Sequence, residues 1–202
     1  MRVAPVGLFG YKVFSGAGAG KAVFELGCDL ARITHGHPTG YLSAGAFSLA
    51  VASLMEGDGL EQSLVRVLSL LAAYEGHEET SRAIEQAIAL ASSKPGDSLA
   101  MTSLGEGWVA EEALAVAIYC VLSYPADFRQ ALLLSVNHSG DSDSTGSIAG
   151  NLLGALLGTQ AIPPEWIEKL ELADVVRQVG ADLNDFFEWD LMAGDVVSRY
   201  PC

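Results

Sequence analysis

Positive charge is scarce: seven Arg and four Lys stand against 25 Asp and Glu in 202 residues, a formal net charge of −14. A chain this acidic has no general attraction for phosphate backbones or anionic lipid, and its few cations are too scattered to make a basic patch. Neither nucleic acid nor a membrane is expected as a partner. Cysteine is also sparse. Cys28, Cys120 and Cys202 are an odd number without metal-ligand spacing, so no disulfide framework is expected and a reducing, cytoplasmic compartment is. Long apolar runs are missing too. Residues 33–55 and 144–164 carry no formal charge, but His35, His37 and Pro38 break the first stretch and Asn151, Gln160 and Pro163-Pro164 the second. Neither supplies the roughly 20 continuous apolar residues that span a bilayer. The opening MRVAPVGLFGYKVF lacks the pattern of a signal peptide. Alternating strand patterns are rare, and no P-loop, dinucleotide fingerprint or serine-nucleophile motif occurs.

What is present is helical. Half of the residues are hydrophobic and 18% are charged, in a chain of 21.2 kDa, which suits one packed core. Apolar spacing predicts helices over residues 21–34, 39–55, 60–74, 78–91, 109–123, 127–136, 145–157, 165–170 and 174–187. Breaks such as His35-Gly36-His37-Pro38 and Lys94-Pro95-Gly96-Asp97 separate them. The expected fold class is all-α, a single multi-helix domain over residues 1–202. Within residues 145–157 a stripe recurs every fourth residue: Gly146, Gly150, Gly154, then Gly158. An interior Gly costs about 0.5–1 kcal/mol relative to Ala, so the stripe predicts a central, buried helix closely approached by another.

Three segments could carry chemistry. In His138-Ser139-Gly140-Asp141-Ser142-Asp143-Ser144-Thr145, two carboxylates one residue apart stand among hydroxyls. Such hard oxygen donors suit Mg²⁺, Mn²⁺ or Ca²⁺, and the same residues suit a helix N-terminus. Both readings stand. An EF-hand does not, because Leu152 occupies the place where the loop needs a bidentate Glu. In Thr34-His35-Gly36-His37-Pro38-Thr39-Gly40-Tyr41, the two His could bind a transition metal, donate to phosphate oxygens or cap helix ends. No Cys or third His lies at zinc spacing. The segment Gly105-Glu106-Gly107-Trp108-Val109-Ala110-Glu111-Glu112-Ala113 reads as a flexible turn, an aromatic face and an acid-capped helix start.

Taken together, MRVAPVG (residues 1–7), THGHPTGYLSAG (34–45), LGEGWVAEEALAVA (104–117), NHSGDSDSTGSIAGNLLGALLG (137–158) and IPPEWIEKLE (162–171) closely resemble the ADP-ribosylglycohydrolase family. The resemblance implies an all-α fold with a centre of two Mg²⁺ or Mn²⁺ ions. It also implies hydrolysis of the glycosidic bond joining ADP-ribose to a modified protein side chain or small molecule. On it, Asp141, Asp143 and Ser144 match the family's metal cluster, and His35, Gly36, His37 and Arg2 match segments beside the ADP-ribose pocket. No catalytic residue is assigned. The family's GDxxG-like segment and Thr-Asp-Asp cluster have no counterpart in this sequence, which resembles the C-terminal two-thirds of such an enzyme. The resemblance therefore implies impaired activity and self-association through uncovered surface, with a catalytically inactive ADP-ribose-binding or structural relative as the alternative.

Overall fold

The computed structural model describes residues 1–186 and 198–200, and among these it contains eleven α-helices and no strand. The all-α expectation holds. Contacts divide the chain into two compact units, Met1–Pro164 and Glu165–Cys202.

The first unit contains α1 (Ala4–Val13), α2 (Ala19–Arg32), α3 (Pro38–Met55), α4 (Leu60–Leu71), α5 (Glu78–Ser93), α6 (Ser98–Met101), α7 (Ala110–Ser123), α8 (Phe128–Val136) and α9 (Ser142–Leu157). The short helix α10 (Pro164–Ile167) stands where the two units divide. Side-chain caps start several of these helices where the sequence offers them. Asp97 accepts from the Leu99 and Ala100 N–H groups, Asp127 from Gln130, and His37 from Thr39 just ahead of α3. Helix α1 was not foreseen: its two glycines blur the apolar stripe. Its proline sits in the first turn, where no intrahelical N–H is needed.

Helix α3 is the hub, touching α1, α2, α4, α5, α7 and α9. Its residues from Gly45 to Leu54 are buried without a break, as are those of α7 from Ala113 to Val121. A helix that is apolar all round belongs inside, and these two build the core of the unit. Tyr119 on α7 is fully buried, and its hydroxyl finds partners in the carbonyls of Lys94 and Asp97, at 2.7 and 3.1 Å. Cys28 and Cys120 are buried free thiols, as their apolar surroundings suggested, while Cys202 lies outside the described residues.

The glycine stripe is a correction. Helix α9 is not central, and its buried face is Thr145, Ile148, Ala149, Leu152 and Leu153. A Cβ on Gly146 would meet Val136 of α8 at 2.5 Å, but one on Gly150 would reach only Leu132 at 3.7 Å. Gly154 faces open space, and Gly158, with φ +75°, ends the helix. The close approaches lie elsewhere, where Gly7, Gly27 and Gly45 let α1, α2 and α3 meet. Among the described residues no helix is long and apolar enough to cross a membrane.

In the second unit, α11 (Ala173–Asp185) is amphipathic and begins close to its predicted start; the predicted last residue, Phe187, lies outside the described residues. Asp182 gathers hydrogen bonds from Gln178, Arg199 and Tyr200, at 2.8, 2.7 and 2.8 Å.

Candidate active-site cavity

One end of the first unit opens into a cavity of about 380 Å³, within the size range of small-molecule sites. Its walls come from segments far apart in the sequence. Met1, Arg2 and Val3 precede α1, Ala31 lies in the last turn of α2, and His35 follows it. Gly40, Ser43, Ala44 and Phe47 lie on α3. Gly107, Trp108 and Val109 precede α7, with Ala110, Ala113 and Leu114 on it; Asp141, Ser144 and Ile148 come from α9 and its cap. The first turns of α3, α7 and α9 therefore meet at one cavity. Each helix start carries about half a positive charge, so together they favour an anionic ligand.

On the α2 side, Arg2 Nη2 donates to the Leu30 carbonyl at 2.9 Å and to Thr34 Oγ1 at 2.5 Å. Thr34 Oγ1 lies 2.7 Å from His35 Nδ1 and 3.4 Å from the Ala31 carbonyl. When the hydroxyl gives its proton to Nδ1, the His35 tautomer with the proton on Nε2 offers that N–H to a ligand; with the proton on Nδ1, the hydroxyl donates to the Ala31 carbonyl instead. His37 and Gly36 do not line the cavity: His37 caps α3, and Gly36 is exposed.

On the α9 side, Asp141 is the helix cap, accepting from the Ser144 N–H at 3.4 Å. Helix α9 thus begins at Ser142, three residues ahead of the expected start, and Asp143 sits in its first turn. Asp141 is held below the usual carboxylate range, first by the neighbouring Asp143 carboxyl, which donates to it when protonated, then by the Ser144 hydroxyl, the Ser144 N–H and the nearby His138, against the burial that raises it. Asp143 is exposed and lies beside Asp141 rather than in the cavity wall. His138 braces the loop: its Nδ1 accepts from the Gly140 N–H at 3.1 Å, so its Nε2 carries the proton toward Thr145 Oγ1 at 2.9 Å. Thr145 in turn donates to the Ser135 carbonyl at 2.6 Å. Asp141, Asp143 and Ser144 could hold a hard cation. Among the described residues, no group of three or more His, Cys, Asp or Glu side chains is arranged to hold a metal ion.

Trp108 is the wall residue that the sequence reading did not place. It is 66% exposed yet lines the cavity, and its Nε1 donates to Glu106 at 3.0 Å. The available signal was the pair of glycines around Glu106: Gly105 and Gly107 take φ of +103° and +82°, a turn that few other residues allow.

The family model for ADP-ribosylglycohydrolase matches residues 1–194. The chain is 28% identical to the bovine (Bos taurus) ADP-ribosylhydrolase ARH3 over 187 residues, 80% of this chain and 51% of that protein. It is 35% identical to ADP-ribosylarginine hydrolase Tri1 of Pseudomonas putida (strain GB-1) over 74 residues, 37% of this chain and 20% of that one. With ADP-ribosyl-[dinitrogen reductase] glycohydrolase of Rhodospirillum rubrum it shares 42% identity over 57 residues, 27% and 19% of the two chains. The chain thus spans at most about half the length of these relatives. The match of the family model over nearly the whole chain establishes that it belongs to the ADP-ribosylglycohydrolase family.

Proposed function

We propose that the cavity binds ADP-ribose carried on a protein side chain or small molecule, and that the chain takes part in hydrolysing the glycosidic bond that attaches it. The observation that carries this reading is the meeting of Arg2, His35, Asp141 and Ser144 around one cavity, although the sequence separates the first pair from the second by about a hundred residues. The relatives' names supply the substrate class.

The residues divide the work. The His35 Nε2–H donates to a phosphate oxygen, with Arg2 and Thr34 fixing the ring. The starts of α3, α7 and α9 face the diphosphate charge. Trp108 offers a flat apolar surface at the cavity mouth. Asp141, Asp143 and Ser144 would hold a divalent cation, Mg²⁺ or Mn²⁺, whose chemistry fits three oxygen donors. When bound, such a cation orients ribose hydroxyls and lowers the pKa of a water aimed at the anomeric carbon.

A second reading is favoured by one feature of the donor set: all three oxygen donors come from a single helix start, whereas one cation takes about six ligands. On it, the chain binds ADP-ribose without turnover. One experiment separates the two. ADP-ribose release from modified arginine and serine peptides with Mg²⁺, and ADP-ribose binding by calorimetry, are compared between the parent chain and Asp141→Ala and Asp143→Ala variants. Release that falls by about 100-fold or more in the variants, as expected when a positioning group is lost, supports the hydrolase. Binding without release supports the second reading, and neither binding nor release overturns both.

A further inference from the structure

Glu112 lies in the first turn of α7 and does not line the cavity. Its Oε2 nevertheless accepts two backbone N–H groups, from Glu106 at 3.2 Å and Gly107 at 3.1 Å. Gly105 leaves room for that carboxylate, since a Cβ there would stand 2.2 Å from Glu112 Cδ. The turn so formed presents the Glu106 carbonyl to the α9 loop, where it accepts the Asp141 N–H at 2.8 Å. Gly140 is pressed against the same carbonyl, which a Cβ would meet at 1.8 Å. From the other side His138 holds the Gly140 N–H and reaches Thr145. The backbone of Asp141 is therefore fixed to a turn that Glu112 itself fixes.

We propose that Glu112 is a positioning residue: its carboxylate sets the turn at residues 105–107 and, through the Glu106 carbonyl, fixes where Asp141 presents its carboxylate to the cavity. The proposal builds on the reading of Asp141 as a cation donor. Two backbone N–H bonds to one carboxylate are charge-assisted and therefore stiff. Outer groups that orient a ligating carboxylate govern cation affinity without touching the cation. A plain capping role, in which a Glu in the first helical turn satisfies loose N–H groups, makes a different forecast. It confines the effect of losing Glu112 to residues 106 and 107 and the start of α7.

The test uses the full chain, first without metal. Amide hydrogen exchange is followed in the parent, in Glu112→Ala and in the near-isosteric Glu112→Gln. The Asp141 amide is expected to exchange about tenfold faster in Glu112→Ala, with partial rescue in Glu112→Gln and no change for α5 amides around Ile84. Faster exchange limited to residues 106, 107 and the first turn of α7, with Asp141 unchanged, overturns the proposal. Mn²⁺ alone is then titrated by calorimetry, and Glu112→Ala is expected to weaken binding about tenfold. If the parent binds Mn²⁺ and Glu112→Ala binds it equally well, the proposal also falls, whatever the exchange shows. If the parent binds no Mn²⁺, the cation reading of Asp141 fails by itself, and the Asp141 amide decides whether Glu112 holds the loop.

Discussion

Two parts of this molecule are rich in glycine, and they use it in opposite ways. Between α1, α2 and α3, Gly7, Gly27 and Gly45 are contact points. A Cβ on Gly27 would stand 2.4 Å from Ser48 Oγ, and one on Gly45 would stand 2.4 Å from Cys28 Sγ and 2.8 Å from the Phe24 carbonyl. A Cβ on Gly7 would meet the Ser48 carbonyl at 2.6 Å. Ser48, fully buried there, donates to the Ala44 and Val3 carbonyls at 3.0 and 3.2 Å. In α9 the glycines recur regularly, yet only Gly146 is crowded and Gly154 is open. Regular spacing identifies residues that share a face, but it does not say whether that face is covered. Core volume comes from the larger side chains, and in α9 those are Ile148 and Leu152, opposite the stripe, and Leu153 beside it.

The sharpest way to break this contrast is to add the same bulk to both places. Gly45→Val drives a branched side chain into Cys28 and into the Phe24 carbonyl, and backbone cannot step aside. It is expected to cost about 3 kcal/mol, the upper end of ordinary overpacking, or to prevent folding. Gly150→Val meets only the end of the Leu132 side chain at 3.7 Å and is expected to change stability by less than about 1 kcal/mol. Urea unfolding of both variants checks this. Equal losses would mean that the α9 stripe is a packed interface after all.

Helix type and order were legible because apolar periodicity survives without tertiary information: the spacing turns Leu64, Val67, Leu68 and Leu71 of α4 and Ile84, Ala87, Ile88 and Ala91 of α5 inward, and all are buried except Leu68 and Ile88, which are half-buried. Helix α1 was not legible, because its glycines serve a contact that only the folded partner reveals. At the site, the Asp141 segment stood out by its paired carboxylates; of its two readings the cap at α9 is seen directly, and Asp141 and Ser144 also stand in the cavity wall, where the cation reading is a proposal. Trp108 and Glu112 could not be placed from spacing, since their roles depend on how residues 105–107 turn toward a loop some thirty residues later.

The two regions should also differ in pH dependence. Cys28, wedged beneath Gly45, is pushed up from 9.0 to about 12, chiefly by burial. A thiol raised in the folded state contributes stability that is full below pH 9 and is lost as pH rises toward about 12. At the start of α9 the sign reverses. Asp141 is held below its ordinary value of 3.8, so its contribution is full above that value and disappears as pH falls through the folded one. Urea midpoints measured from pH 3 to 11 should show both limbs. Cys28→Ala should lessen the alkaline slope, to which Cys120 and Tyr74, also raised by burial, contribute the rest, and Asp141→Asn should lessen the acid slope. Crossed effects would show that the two regions are not independent.

The smallest expected effect is the most discriminating. Gly154 lies inside α9 with open space where a Cβ would go and without a positive φ. Gly154→Ala therefore introduces no clash and reduces the freedom of the unfolded chain, which should stabilise the protein by about 0.5–1 kcal/mol. For a chain of this size the midpoint of thermal unfolding should rise by about 1–4 °C. The same substitution at Gly27 puts a methyl group 2.4 Å from Ser48 Oγ and 3.2 Å from the Ala44 carbonyl, so it should lower the midpoint instead. Opposite signs for one chemical change isolate packing as the cause, because helix propensity is the same in both. A lowered midpoint for Gly154→Ala would require a neighbour on the stripe in solution, and both glycine sets would then be contact faces.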